Sequence, residues 1–431
     1  MSLCFPISHP FFFFFFFLPL PPLSCEQRLG ACPFSPYYYR IYLTGTERTG
    51  STHTPKMAPS AIPIQTQDVD LTAAAVDRKE HELTKPTAAP AVGPVEAPLD
   101  ASRLVYTLTE NPRAVPDEAT ANAGLETICT DHMVTVTWRA GTGWETPELK
   151  PYGPLSLMPT ASCLHYATEC FEGLKAYRGY DGRLRVFRPD RNAARFRMSA
   201  ARISLPVFEP AELTKLMTAL LSVDGPRWIP RDRQGSFLYI RPTLIGTQSQ
   251  LGVQAPREAM LYIIVSFMPR MDAPPGGMRL HTSPDDMVRA WVGGFGYAKV
   301  GANYGPSLMA TQDARRRGFH QILWLYGAQG ECTEAGASNF FIVWRRKSDG
   351  KKELITAPLD DKLILDGVTR RSCLEIAKEM LGGELEITER KYTIDEVLEA
   401  DAEGRILESF AAGTAVRSLA CEVCYCSHYR Y

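Results

Sequence analysis

Apolar and polar residues alternate with a period of two through Met133-Val134-Thr135-Val136-Thr137-Trp138, the first clear strand of a folded pattern that begins near Leu104. A hairpin follows over 182–186, a helix over 192–201, and a longer helix over 209–223 whose apolar positions recur every three or four residues. Two β-rich runs, 236–245 and 259–267, close the first half. The stretch Met268-Pro269-Arg270-Met271-Asp272-Ala273-Pro274-Pro275-Gly276-Gly277 then breaks every periodicity, so residues 269–277 read as an interdomain linker. Beyond it the pattern predicts strands over 321–326 and 339–344 and a helix over 368–380. A Thr393-Ile394-Asp395-Glu396 capping box opens a short helix, and a last strand covers 405–410. Strands and helices interleave without an internal repeat, which predicts an α/β fold of mixed α+β character.

The N-terminal segment departs from this pattern. Residues 1–56 contain a phenylalanine run at 11–17 and a tyrosine triplet at 37–39, with neither strand nor helix period, and read as an artefactual or targeting extension before a natural start at Met57. No Lys or Arg precedes the apolar run, as a secretory signal would require. Residues 57–100, rich in Ala, Pro and Thr, read as a disordered leader. The expected organisation is therefore one α/β domain over 101–268 and a second domain over 278–431.

Composition narrows the function. Among 431 residues, 45% are hydrophobic and 22% charged, with a net charge of -1. Without a basic excess to neutralise phosphates, nucleic acid is not an expected partner. No apolar run reaches the roughly 20 residues of a spanning helix, so a membrane is not expected either. The 11 cysteines are irregularly spaced and read as reduced thiols in the cytosol or the mitochondrion. Cys421, Cys424, Cys426 and His428 crowd together, but no second ligand pair accompanies them and no metal is expected.

The chemistry-bearing segment is Gly293-Gly294-Phe295-Gly296-Tyr297-Ala298-Lys299-Val300-Gly301-Ala302-Asn303-Tyr304-Gly305. Glycines let backbone approach a bulky planar ligand closely. Desolvation can push a lysine in a crowded pocket toward the neutral amine, a carbonyl-condensing nucleophile and general base, as a pyridoxal phosphate enzyme requires. Two further segments fit that chemistry. In Cys332-Thr333-Glu334-Ala335-Gly336-Ala337-Ser338-Asn339 a carboxylate between two β runs could hold a pyridine nitrogen protonated. Asp366-Gly367-Val368-Thr369-Arg370-Arg371 opens a helix whose free amides suit a phosphate.

Together with Phe171-Glu172-Gly173-Leu174-Lys175, Phe187-Arg188-Pro189-Asp190-Arg191-Asn192 and Tyr239-Ile240-Arg241-Pro242, these segments resemble the branched-chain aminotransferases of fold type IV of the pyridoxal phosphate enzymes, over about 130–415. The resemblance implies a two-domain fold, with a small N-terminal α/β domain and a larger C-terminal domain of mixed sheet or barrel. It implies pyridoxal 5'-phosphate as cofactor and transfer of the amino group between Leu, Ile or Val and 2-oxoglutarate. Lys299 would be the Schiff-base lysine and proton carrier, Glu334 the partner of the pyridine nitrogen, and Tyr304 the partner of the phenolic oxygen. Arg195, the amides of Val368 and Thr369, and Thr414 would hold the phosphate; Arg188 is expected in a structural ion pair. Tyr166, Phe171, Tyr239, Leu251, Val253 and Ala415 would line the substrate pocket, with Arg241 receiving the distal carboxylate of glutamate. Some pocket residues would come from a second subunit, hence a homodimer.

Two alternatives accompany that reading. D-amino acid aminotransferases and aminodeoxychorismate lyases share the lysine and glutamate, although the Tyr239–Arg241 and Asn303-Tyr304-Gly305 contexts are not expected together in them. A catalytically dead relative acting as an interaction protein is the other, motivated by 416–431, which carry no resemblance and read as an atypical, truncated end. Ala337 also stands where many relatives have threonine, with Ser338 beside it.

Overall fold

The computed structural model describes residues 96–117, 127–268 and 277–414, and the backbone of 419–424. The extension 1–56, residues 57–95 of the leader, the linker at 269–276 and Ala415 lie outside the described residues.

The first half builds a nine-stranded sheet from β1 (Val105–Tyr106), β2 (Ile128–Arg139), β3 (Gly143–Trp144), β4 (Glu148–Pro151), β5 (Glu169–Phe171), β6 (Leu174–Arg178), β7 (Leu184–Val186), β8 (Phe237–Gly246) and β9 (Glu258–Phe267). Its main path runs β1-β4-β2-β9-β8-β6-β7, with β3 on β2 and β5 on β8. The long antiparallel ladders pair β9 with β2 and with β8, Pro242 facing Ile263. After the short helix α1 (Ser162–Tyr166), two longer helices cover one face: α2 (Pro189–Arg202) and α3 (Pro210–Trp228). Leu213, Leu216, Leu220 and Trp228 of α3 and Phe196 of α2 share a core with Val134, Val136, Leu261, Ile263 and Val265 of the sheet. This is the helical spacing of the sequence meeting the period of two of the strands.

Helix α3 runs past the expected end at 223, through Gly225 and Pro226. Tertiary contacts override the local stop signal. Asp224 accepts hydrogen bonds from the backbone N–H and ring of His132, and Trp228 Nε1 donates to Asp131.

The second half contributes β10 (Met278–Thr282), β11 (Gln321–Tyr326), β12 (Glu331–Ala335), β13 (Ser338–Arg345), β14 (Lys352–Thr356), β15 (Glu386–Glu389), β16 (Ile406–Ala412) and β17 (Leu419–Cys424). They run β12-β11-β10-β17-β16-β13-β14-β15, and an extra pairing of β12 with β13 closes six of them into a ring. Helices α4 (Ser307–Arg316), α5 (Val368–Leu381) and α6 (Ile394–Ala402) accompany them, α6 opening on the capping box expected at Thr393 and Glu396. Strand β13 is buried on both sides. Phe340, Ile342 and Trp344 enter one core with Leu280 and Leu323, whereas Phe341 and Val343 face Cys373 and Leu374 of α5.

The strand expected at 405–410 is not the last. Residues 419–424, read as unmatched tail, form β17, parallel to β10 and antiparallel to β16. Pairing on both edges, rather than strong local alternation, recruits this segment into the sheet. No helix among the described residues is long and apolar enough to cross a membrane.

Candidate active site

The segment between β10 and α4 carries Lys299 away from its own sheet and against the first one. Phe171 N–H donates to the Lys299 carbonyl at 3.1 Å, Cys170 and Val300 form a β-bridge, and Lys299 N–H donates to Ser199 Oγ of α2 at 2.8 Å. Ala298 and Val300 on either side are fully buried in the first core. Asn303 fastens the loop by donating to the carbonyls of Phe295 and Ala298. Two of the five glycines serve the packing of the loop. A Cβ on Gly296 would collide with Ala290 and the Leu363 carbonyl, and one on Gly301 with Glu169, so these glycines let the loop close on the protein itself.

The Lys299 side chain emerges half-buried between two rings. Its Nζ donates to Tyr304 Oη at 2.9 Å and lies 4.8 Å from the Phe171 ring centroid, and the rings of Phe171 and Tyr304 are 5.2 Å apart. Arg241 also lies over Phe171, its guanidinium carbon 4.7 Å from that ring centroid and 5.2 Å from that of Tyr239, with Nη2 donating to Tyr239 Oη at 3.1 Å. No carboxylate pairs with Arg241 among the described residues, and its Nε is buried without a hydrogen-bond acceptor. The cation is held by π faces and has donors to spare.

Glu334 sits on β12, almost fully buried. Its Oε1 accepts from Leu365 N–H at 3.0 Å and Asn339 Nδ2 at 3.2 Å. Oε2 lies 2.8 Å from Arg289 Nε but receives no aligned hydrogen bond, which leaves it able to accept one more donor. Burial pushes this carboxyl above its ordinary range, against the charges of Arg289, Lys299 and Arg195 and the Leu365 amide, which favour the anion. Arg289 is the residue that sequence reasoning missed. A lone arginine ahead of an apolar glycine-rich stretch was its one available signal. In the fold it braces the site further, donating to the carbonyls of Leu363 and Gly296.

A third group of residues faces the start of α5. Arg195 of α2, about one-tenth exposed, donates through Nη1 to the Asp366 carbonyl at 2.9 Å. Together with Arg191, Asp366, Val368 and Arg371 it lines a cavity of about 220 Å³. Helix α5 begins at Val368 without a side-chain cap, so the amides of Val368 and Thr369 keep the orphan donors of a helix N-terminus. Thr414 follows the end of β16, whose Ala412 is paired with Asn339, the residue that also holds Glu334. Arg188 does form the structural ion pair expected of it, bonding Glu375 at 2.7 Å and Ser372 at 2.8 Å across to α5.

The fold thus gathers Lys299, Tyr304, Phe171, Tyr239 and Arg241 in one group, with Glu334 and Arg195 close enough to feel the lysine or one another electrostatically. Tyr166, Leu251 and Val253 are not in it. Tyr166 donates its hydroxyl to the Leu251 carbonyl on the surface, where Leu251 is 58% and Val253 85% exposed.

A buried acid, a lysine bonded to a tyrosine and an uncapped helix start beside an arginine are groups that could hold a phosphate-bearing ring cofactor. The model of the amino-transferase class IV family matches residues 169–404. The mitochondrial branched-chain-amino-acid aminotransferase of Saccharomyces cerevisiae is 48% identical over 322 residues, 74% of this chain and 80% of that one. The chain belongs to the class IV aminotransferases, among the branched-chain-amino-acid aminotransferases.

The cytosolic branched-chain-amino-acid aminotransferase of Mus musculus is 45% identical, over 70% of this chain and 76% of its own length. Among solved structures, the branched-chain aminotransferase of Thermoproteus uzoniensis with norvaline superposes with a TM-score of 0.53 at 26% identity, over 67% of this chain and 87% of that one. The branched-chain amino acid aminotransferase from Escherichia coli gives 0.52 at 25%, covering 67% and 86%. Family membership corrects the alternative of a different fold type IV chemistry, and the fold type IV architecture expected from sequence is the one observed.

Proposed function

We propose that this protein transfers the amino group between branched-chain L-amino acids and 2-oxoglutarate, with pyridoxal 5'-phosphate as cofactor and the gathered residues as its machinery. The observation that carries the reading is the Lys299–Tyr304 pair facing Phe171, with Arg241, which no carboxylate pairs among the described residues, over the same ring.

The residues fit the cofactor. Glu334 Oε2 is a buried acceptor with one position open, suited to a protonated ring nitrogen. Arg195 and the first amides of α5 offer donors around a cavity suited to a phosphate, with Thr414 assigned to the same end. Once bound, the cofactor supplies an electron sink for the pair of electrons released at the substrate Cα. Lys299 Nζ takes the proton from that Cα and later returns it, with Tyr304 Oη, its hydrogen-bond partner, holding the amine in place. Phe171 and Tyr239 offer apolar ring surface to a branched side chain, at about 25 cal/mol per Å² removed from water. Arg241 donates to the second carboxylate of glutamate in the same space, so one pocket serves both halves of the reaction.

Addition of leucine alone to the loaded protein should therefore release one keto acid per site and change the visible absorption of the cofactor. Later addition of 2-oxoglutarate should restore the spectrum and yield one glutamate. Release of keto acid from D-alanine but not from leucine would overturn the assignment.

The working form is a homodimer. Tyr166, Leu251 and Val253, assigned to the substrate pocket, are surface residues in the single chain, beside further exposed apolar side chains at Met158 and Leu164. An apolar patch of this kind on a protein of ordinary composition calls for a cover, and a second copy would bring these residues to a neighbouring site. Sedimentation should give a dimer, and V253D with L251D should shift it toward monomer and reduce activity together. A fully active monomer would exclude the arrangement.

A further inference from the structure

Glu172 lies beside the reacting group but has no part in the chemistry above. It is fully buried between Phe171 and Gly173, and it accepts four hydrogen bonds: Arg195 Nε at 2.7 Å, Arg195 Nη2 at 2.9 Å, Asn192 Nδ2 at 2.7 Å and Gly173 N–H at 3.1 Å. Its own amide donates to the Pro242 carbonyl at 2.9 Å, fixing it to β8. Burial acts to raise this carboxyl, but the Arg195 charge and bonds, Lys299 and Asn192 more than offset it and hold it below the ordinary range.

A buried ion pair is a weak source of stability, since well-packed apolar residues of similar volume serve as well or better. The geometry accounts for this one differently. A guanidinium has five N–H donors in a rigid plane. Glu172 takes two along one edge and the Asp366 carbonyl a third, which leaves one on each terminal nitrogen, beside the cavity at the start of α5. One turn on, Ser199 Oγ donates to the Arg195 carbonyl and accepts the Lys299 amide, so the same helix sets both the arginine and the lysine.

We infer that Glu172 is a positioning residue for phosphate recognition: with Asn192 behind it, it fixes the plane of Arg195 so that the two remaining donors meet the cofactor phosphate. This rests on the reading of Arg195 as a phosphate ligand. Its signature is selective, because a residue acting through the phosphate contributes to binding of pyridoxal 5'-phosphate and not to binding of pyridoxal, which lacks that group.

The test uses the cofactor-free full chain, with dissociation constants for pyridoxal 5'-phosphate and pyridoxal read from tryptophan fluorescence in the wild type, E172Q, R195A and the double variant. E172Q is expected to weaken pyridoxal 5'-phosphate binding at least tenfold while pyridoxal stays within twofold, and to add nothing further in the R195A background. Parallel loss of both ligands, or no loss, overturns the role of Glu172. Unchanged pyridoxal 5'-phosphate affinity in R195A overturns the phosphate reading itself. Loss in R195A with none in E172Q removes only the positioning. If circular dichroism shows E172Q unfolded, N192A, which deletes one of the four bonds, is measured in the same way. A selective loss of about threefold is then expected, and a parallel loss overturns the inference.

Discussion

Replacing Lys299 with alanine should lower transamination of leucine by about 10⁴-fold or more while cofactor still binds, more weakly, through its phosphate. General base catalysis alone is worth about 10²–10⁴-fold, and the same amine also serves as the nucleophile toward the cofactor's aldehyde. The backbone of Lys299 is held by Ser199 and Phe171, and the turn is closed by Asn303, so truncation of the side chain removes the amine without releasing the loop. Little loss of folding is expected, and melting within a few degrees of wild type should accompany the loss of turnover. Steady-state rates with leucine and 2-oxoglutarate, beside equilibrium binding of pyridoxal 5'-phosphate, check both halves. Turnover within tenfold of wild type would remove Lys299 from the reaction.

That lysine was legible because its signal is local: one cation among five glycines and two tyrosines. Helix α3 was legible for a similar reason, since its apolar period records which face is buried, and strand β13 because a short continuous apolar run suits a strand buried on both faces. The residues that give the site its geometry left fainter traces. Glu172 and Arg195 are 23 positions apart, and Arg195 and the Asp366 carbonyl 171 apart, distances over which no periodicity operates. Arg289 could be recognised only once the fold had set its guanidinium against Glu334. Helix α4 is faint in the sequence because the side it buries carries only Ala310 and Ala314, too small to mark an apolar stripe. The most instructive case is β17. Its residues looked like an unmatched tail, yet they pair on both edges between β10 and β16 and complete the ring of strands that carries Glu334. Partnership, which is not written in any one segment, made the strand.

The second large effect separates the two halves of the reaction. Arg241→Ala should slow the half reaction with glutamate or 2-oxoglutarate by about 10- to 150-fold, since a hydrogen bond to a charged group contributes about 1.5–3 kcal/mol and each 1.4 kcal/mol is a factor of ten. Leucine lacks the distal carboxylate and is affected through packing only. Removal of Arg241 takes a cation from the faces of Phe171 and Tyr239, a contact worth about 0.5–1 kcal/mol, so a loss of about two- to fivefold is expected there. The absence of a carboxylate partner for Arg241 among the described residues is what makes the difference large. An arginine already paired inside the protein would have little left to offer a substrate, and its removal would act on both half reactions alike. Single-turnover rates with leucine and with glutamate, each at saturation and at limiting concentration, measure the ratio directly. Equal losses would mean that Arg241 shapes the pocket without contacting the second carboxylate, and the glutamate site would then have to be sought on residues supplied by the other subunit.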